Sequence, residues 1–142
     1  MPNICHTTTI NMLGVTISSH QSVSNHVRDI ISKCSQSLCA LKVLRCHGTN
    51  DEALRLVYKA VVIAKLLYAS PAWWGYTTAA DKQRVEAFIR RAVRLGLYHA
   101  DDPTTTQLAD NNDDNLFSSL FTNGNHVFKH LLPDKRNYQY NL

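Results

Sequence analysis

From Leu54 to Leu67 the chain is apolar on nearly every side of a helix. Leu54, Leu56, Val57, Ala60, Val61, Val62, Ile63, Ala64, Leu66 and Leu67 leave only Arg55, Lys59 and Lys65 as charged interruptions. A helix with no polar face needs other elements around it, because water cannot cover so much apolar surface cheaply. The expectation is a central helix over about Asp51 to Ser70, stopped by Pro71, in a helical bundle.

The flanking sequence supplies the neighbours. Val27, Ile30, Ile31, Cys34, Leu38, Leu41 and Leu44 recur at three- and four-residue steps, which predicts an amphipathic helix from about Ser24 to His47. Gly48 gives that helix a stop, and Thr49-Asn50-Asp51-Glu52 reads as a capping box opening the next, so the two pack antiparallel. A third helix runs from near Thr78 to about Leu95, before Gly96. Val85, Phe88, Ile89 and Ala92 form its apolar face, Arg84, Arg91 and Arg94 line the other side, Lys82 sits at its start, and Glu86 and Arg90 form an i,i+4 pair.

Outside these helices the pattern changes. Thr8 to Ile17 is rich in β-branched residues and predicts a strand, with Gly14 marking a bulge or a close backbone approach. Ala72 to Tyr76 reads as an aromatic linker, with Trp73 and Trp74 plugging the end of the core rather than stacking on bases. Beyond Leu97 the composition turns to Asp, Asn and Thr, which predicts a loop with short helical pieces at Leu116 to Phe121 and His126 to Leu132. The final Asn137 to Leu142 carries no stop signal, so the end reads as cut off.

The 142 residues, 44% of them apolar, suffice for one domain with one core. A net charge of +4 suits a polyanionic partner but is also common among soluble proteins. Neither a signal peptide nor a run of about 18 apolar residues is present. The expectation is therefore an intracellular protein, nuclear or cytoplasmic, that is not secreted and has no membrane partner.

Candidate chemistry is sparse. Cys5, Cys34, Cys39 and Cys46 form no CxxC pair and do not fit a zinc site; buried or half-buried free thiols are expected. GxSxG, P-loop and HExxH patterns are absent, and His6, His20, His47 and His126 fall in predicted loops or at helix ends. In Tyr98-His99-Ala100-Asp101-Asp102-Pro103, adjacent aspartates follow an aromatic, as in polymerases that hold catalytic magnesium. Such a site needs a hairpin between apolar strands and a third carboxylate. Here the pair follows a helix and precedes a proline, so it reads as a helix-terminating loop in which Asp102 or Thr104 caps the next turn. Arg84, Arg91, Arg94 and Lys82, with Arg55 and Lys59, are either a row of phosphate contacts or a solvated face.

Four segments in order resemble the C-terminal part of reverse transcriptases of non-LTR, jockey-like retrotransposons. They are "MLGVTIS" at Met12 to Ser18, "HVRDIISKCSQSLCALKVL" at His26 to Leu44, "LRLVYKAVVIAKLLYASPAWWG" at Leu54 to Gly75, and "RVEAFIRRAVRLGL" at Arg84 to Leu97. The tail "HVFKHLLPDKRNYQYNL" is also similar to the segment after the thumb in that family, whereas "MPNICHTTTIN" departs from the family pattern. The resemblance implies a mainly α fold: a short strand or hairpin left from the palm over residues 1–20, a three-helix thumb-like bundle over 21–98, and a loop and short-helix tail over 99–142. It places Leu13, Gly14 and Val15 near a primer terminus and the basic residues along a template-primer duplex. It also implies a palm domain as partner and magnesium as the cofactor of the full-length family, held by aspartates N-terminal to the LGV strand. No cofactor site or catalytic residue is therefore expected in this chain, nor polymerisation by it alone. The alternative expectation is a small helical interaction module whose apolar second helix seeks a partner surface.

Overall fold

Helix α1 (Ser24–Cys46) follows the periodicity that predicts it, burying His26, Val27, Ile30, Cys34, Leu38 and Leu41. The computed structural model describes residues 7–132. The α1 stripe ends at Leu41, since Leu44 is exposed. Gly48, at φ +87, reverses the chain in a left-handed conformation that disfavours residues with a Cβ. Asn50, rather than a Thr49 box, caps α2 (Asp51–Val57), its side chain accepting from the Glu52 amide at 2.9 Å.

The apolar segment does not run as one helix to Ser70, nor is it central. It passes from α2 through a π-helical stretch, Tyr58–Ile63, into the short α3 (Ala64–Leu66), and breaks at Ala69, which has φ 52. Its buried row is Leu54, Tyr58, Val62 and Leu66, spaced by four residues. Steps of four drift around an α-helix by about 40° each, and the wider π turn reduces that drift, keeping the row against the core. On the outer side Leu56 (71%), Val57 (41%) and Val61 (44%) are exposed, because no described element covers them.

Pro71 does not stop this helix. It lies in the first turn of α4 (Ser70–Trp73), where a missing N–H costs nothing. A 3-10 turn, Trp74–Tyr76, follows. Trp73 has no exposure; its Nε1 donates to the Tyr68 carbonyl at 2.9 Å, and its ring meets those of His26 at 5.0 Å and Trp74 at 5.7 Å. With Trp74 also buried, the pair belongs to the core, as expected.

Helix α5 (Ala79–Arg94) begins at a capping box formed by Thr78 and Asp81. Asp81 is only 1% exposed, and its carboxylate accepts from Ser24 Oγ of α1 at 2.7 Å, Thr78 Oγ1 at 2.8 Å and Arg84 Nη1 at 3.2 Å. Burial alone would push this carboxyl up, but the hydrogen bonds from Ser24 and Thr78, with the Arg84 charge, hold it below the ordinary aspartate value.

Where the sequence suggests a loop with a helical piece at Leu116 to Phe121, the chain forms one helix, α6 (Thr105–Thr122). Thr104 and Gln107 cap it reciprocally, and Thr105, Ala109 and Leu120 are buried. Asn112 Nδ2 reaches Ser70 Oγ of α4 at 3.0 Å. Asp and Asn are indifferent helix formers, but a capping box and a packed face override that preference. Within His126 to Leu132 only Lys129–Leu131 is helical, as a 3-10 turn. Residues 133–142 of the tail reading, like 1–6, lie outside the described residues.

The N-terminal unit is an antiparallel hairpin of β1 (Thr9–Met12) and β2 (Val15–Ser18), with Ile10 opposite Ile17 and Met12 opposite Val15. Leu13 (φ 50) and Gly14 (φ 86) form its two-residue turn, so Gly14 marks a hairpin rather than a bulge. Val15 is buried, and the Thr16 amide donates to Nδ1 of buried His26 at 3.5 Å, linking the hairpin to α1. The chain is thus mainly helical behind an N-terminal hairpin. No helix among the described residues is long and apolar enough to cross a membrane.

Two titrations are expected, in separate windows. Burial lowers the His26 pKa below about 6.5, with Asp29 opposing and Lys33 assisting. The stability due to neutral His26 is full above about 6.5 and falls as pH drops from there towards the folded-state value. Asp81 stabilises fully above its unfolded value, and that contribution is lost as pH falls through its lowered folded value. Urea unfolding across pH should lose the upper limb in His26→Gln and the lower limb in Asp81→Asn. Asp81→Ala, which orphans Ser24 and Thr78 together, should cost about 2 kcal/mol at neutral pH.

Candidate nucleic-acid interface

Where α1 packs on α5, arginines from both helices line one groove. Arg28 and Ser35 of α1 face Arg84, Arg91 and Arg94 of α5 over Ile31 and Phe88, around a volume of about 540 Å³. The helical repeat explains the α5 contribution: Arg84 and Arg91, seven residues apart, stack nearly in line, and Arg94 lies about 80° round from Arg84 on the same flank. Arg84 is steadied by Asp81 at 3.2 Å while its side chain stays 53% exposed. Arg28, Arg91 and Arg94 make no ion pair among the described residues. Several guanidinium groups on a rigid two-helix frame, most without a carboxylate partner, form a surface suited to phosphate oxygens.

The six basic residues read from the sequence therefore divide. Arg84, Arg91 and Arg94 share this groove, while Lys82, Arg55 and Lys59 stand elsewhere. Lys82 Nζ lies 5.5 Å over the Trp74 ring, on the flank of α5 away from Arg84. Arg55 Nε donates to the Gly96 carbonyl at 3.1 Å, and Arg45 Nη1 to that of Leu95 at 2.6 Å. These cations satisfy carbonyls just past the end of α5, a role helix termini favour. Lys59 Nζ pairs with Asp102 Oδ1 at 2.7 Å and lies 5.7 Å from the Tyr98 ring.

Arg28 is the groove residue that the helical patterns do not single out. It sits on the same side of α1 as Ile31 and Ser35, three and seven residues on, but only the packing of α1 on α5 gives that row meaning. The expected Glu86–Arg90 ion pair is not formed within 4.0 Å. Of Leu13, Gly14 and Val15, Leu13 is 86% exposed at the hairpin turn, whereas Val15 is in the core.

The Tyr98 to Pro103 stretch is a loop closed on itself. Tyr98 is buried and donates its hydroxyl to the Pro103 carbonyl at 2.7 Å. Asp102 accepts from the His99 amide at 3.0 Å as well as from Lys59. Burial would raise its carboxyl, but the Lys59 and His99 hydrogen bonds hold it low. Thr104, one of the two residues expected to cap the next turn, caps α6. Both oxygens of Asp102 are thus engaged, and among the described residues no group of three or more His, Cys, Asp or Glu is placed to hold a metal.

The remaining candidate groups fall outside the groove. Cys34 is buried, its thiol pushed up to about 11 by burial against the opposing charge of Lys65. Cys39 and Cys46 are exposed, contrary to the expectation of buried thiols, because they lie off the α1 stripe; Cys5 and His6 lie outside the described residues. Comparison with protein-family models, with curated proteins and with solved structures finds no match.

Groove arginines with no structural partner should be dispensable for folding. Arg28→Ala and Arg91→Ala should leave the unfolding free energy within about 0.5 kcal/mol of the parent. Tyr98→Ala, which empties a buried site and removes the bond to Pro103, should cost about 3 kcal/mol by the same denaturant titration.

Proposed function

We propose that this chain binds the phosphate backbone of a nucleic-acid duplex along the α1/α5 groove, as the thumb-like part of a non-LTR retrotransposon reverse transcriptase. The observation that carries the reading is the convergence of Arg28, Arg84, Arg91 and Arg94 on one groove, three of them without a carboxylate partner among the described residues. The groove has no exposed aromatic side chain, and Trp73 and Trp74 are buried, which favours backbone contact over base stacking. The order of the LGV hairpin, the long helices and the Ser70-Pro71-Ala72-Trp73-Trp74 corner supports the family assignment. On this reading the chain contributes duplex contacts and a surface for a palm domain, while RNA-templated DNA synthesis, with its magnesium and catalytic aspartates, belongs to that palm.

A second reading, a helical interaction module without a nucleic-acid role, is favoured by the exposure of Leu56, Val57 and Val61 on the flank of α2 and the π-helical stretch.

Fluorescence anisotropy with a primed RNA–DNA duplex separates the two. Nucleic-acid binding predicts a log–log salt slope of about −3, from roughly three to four neutralised phosphates. Arg91→Ala should reduce that slope by about 1 without altering sequence preference, whereas Arg55→Ala should not. No binding at low salt would leave the interaction module. Primer extension with magnesium should yield no product from this chain alone.

A further inference from the structure

On the solvent side of α6, Asp110, Asp114, Phe117 and Phe121 succeed one another at steps of four, three and four residues. They therefore form one stripe about 16 Å long, acidic in its first half and aromatic in its second. All are exposed, Phe117 at 55% and Phe121 at 70%, while the helix packs through Ala109 and Leu120, about a quarter turn round from the stripe. Two phenylalanines adjoining on a helix surface form an apolar patch that water covers poorly.

A complementary surface lies at the foot of the same helix. A cleft of about 680 Å³ separates the flank of α5 next to the arginine groove, with Arg94 lining both, from the Tyr98 to Thr105 segment. Its apolar lining comes from Ile89, Val93, Tyr98 and Pro103, and Arg90 and Arg94 stand along its edge one helical turn apart. The other titratable groups there are Glu86, one turn before Arg90, with His99 and Asp102; Asp102 is already taken by Lys59. Neither Arg90 nor Arg94 has a carboxylate partner among the described residues. Both surfaces carry a like-charged i,i+4 pair, Asp110 with Asp114 and Arg90 with Arg94, an arrangement unfavourable on an isolated helix. Set against each other, the two pairs neutralise, and the phenylalanines meet the apolar lining.

We propose that this chain self-associates through these surfaces, the α6 stripe of one copy seated in the α5/α6 cleft of a second. In an isologous dimer, two copies related by a twofold axis exchange both contacts at once. Phe117 and Phe121 are the anchors and the Asp–Arg pairs set the register. The inference shares Arg94 with the nucleic-acid reading, whereas Phe117, Phe121, Asp114 and Arg90 lie outside the groove and test it separately.

Sedimentation equilibrium of the full chain tests it. The parent should show a concentration-dependent monomer–dimer equilibrium, and Phe117→Ala/Phe121→Ala should be monomeric with an unchanged circular dichroism spectrum. Arg90→Glu and Asp114→Arg should each weaken association about tenfold or more, and an equimolar mixture of the two should regain association as a heterodimer. A parent that stays monomeric at millimolar concentration, a dimer that survives loss of both phenylalanines, or a mixture no tighter than its components would overturn the proposal.

Discussion

The buried carboxylate of Asp81 fixes where α1 and α5 meet, and the placement of the arginines depends on that meeting. One oxygen takes the Ser24 hydroxyl from the first residue of α1 and the Thr78 hydroxyl from the cap of α5; the other takes Arg84. A charged group at this depth is tolerable only when its hydrogen-bonding capacity is met, so the two helix starts cannot separate without exposing an uncompensated cost. The bond to Arg84 also steadies the first guanidinium of the groove on a rigid element. Fold and candidate interface thus share a single carboxylate.

Charge on the chain is divided by what each cation touches. Arg45, Arg55 and Lys59 close the C-terminal end of α5 and the loop after it, and Lys82 covers Trp74. Their energy goes into holding α5 against α1 and α2. Arg28, Arg91 and Arg94 have no such task among the described residues, which is why a net charge of +4 can still concentrate into one receptive groove. On an adjoining flank of α5, Arg90 lines a different cleft together with Arg94.

Periodicity made α1 and α5 legible, with caps and stops that match to within a residue or two. It failed where an apolar run had more surface than the fold covers: Leu54 to Leu67 reads as central, but it winds through a π turn that keeps one row inside and leaves Leu56 and Val61 out. Of Thr105 to Thr122 only Leu116 to Phe121 reads as helix, because Asp and Asn before it are weak helix formers and the Thr104–Gln107 box that starts the helix is easily passed over in such company. Of the candidate site, the α5 arginines were visible because they share a helix flank. Arg28 was not, since its relevance comes from a packing contact that no single-helix pattern contains. The placing of Lys59 and Arg55 away from the groove was hidden for the same reason, as their partners Asp102 and Gly96 lie more than forty residues on.

On the proposed reading the α1/α5 groove, rather than the protein's basic residues at large, receives a duplex. Side-chain Nε–Hε spectra of the arginines, recorded as a primed RNA–DNA duplex is titrated in at low salt, address this residue by residue. Saturable shifts at Arg28, Arg84, Arg91 and Arg94, with Arg45 and Arg55 unmoved, are the predicted result. Shifts spread evenly over all arginines, or confined to those outside the groove, would contradict it.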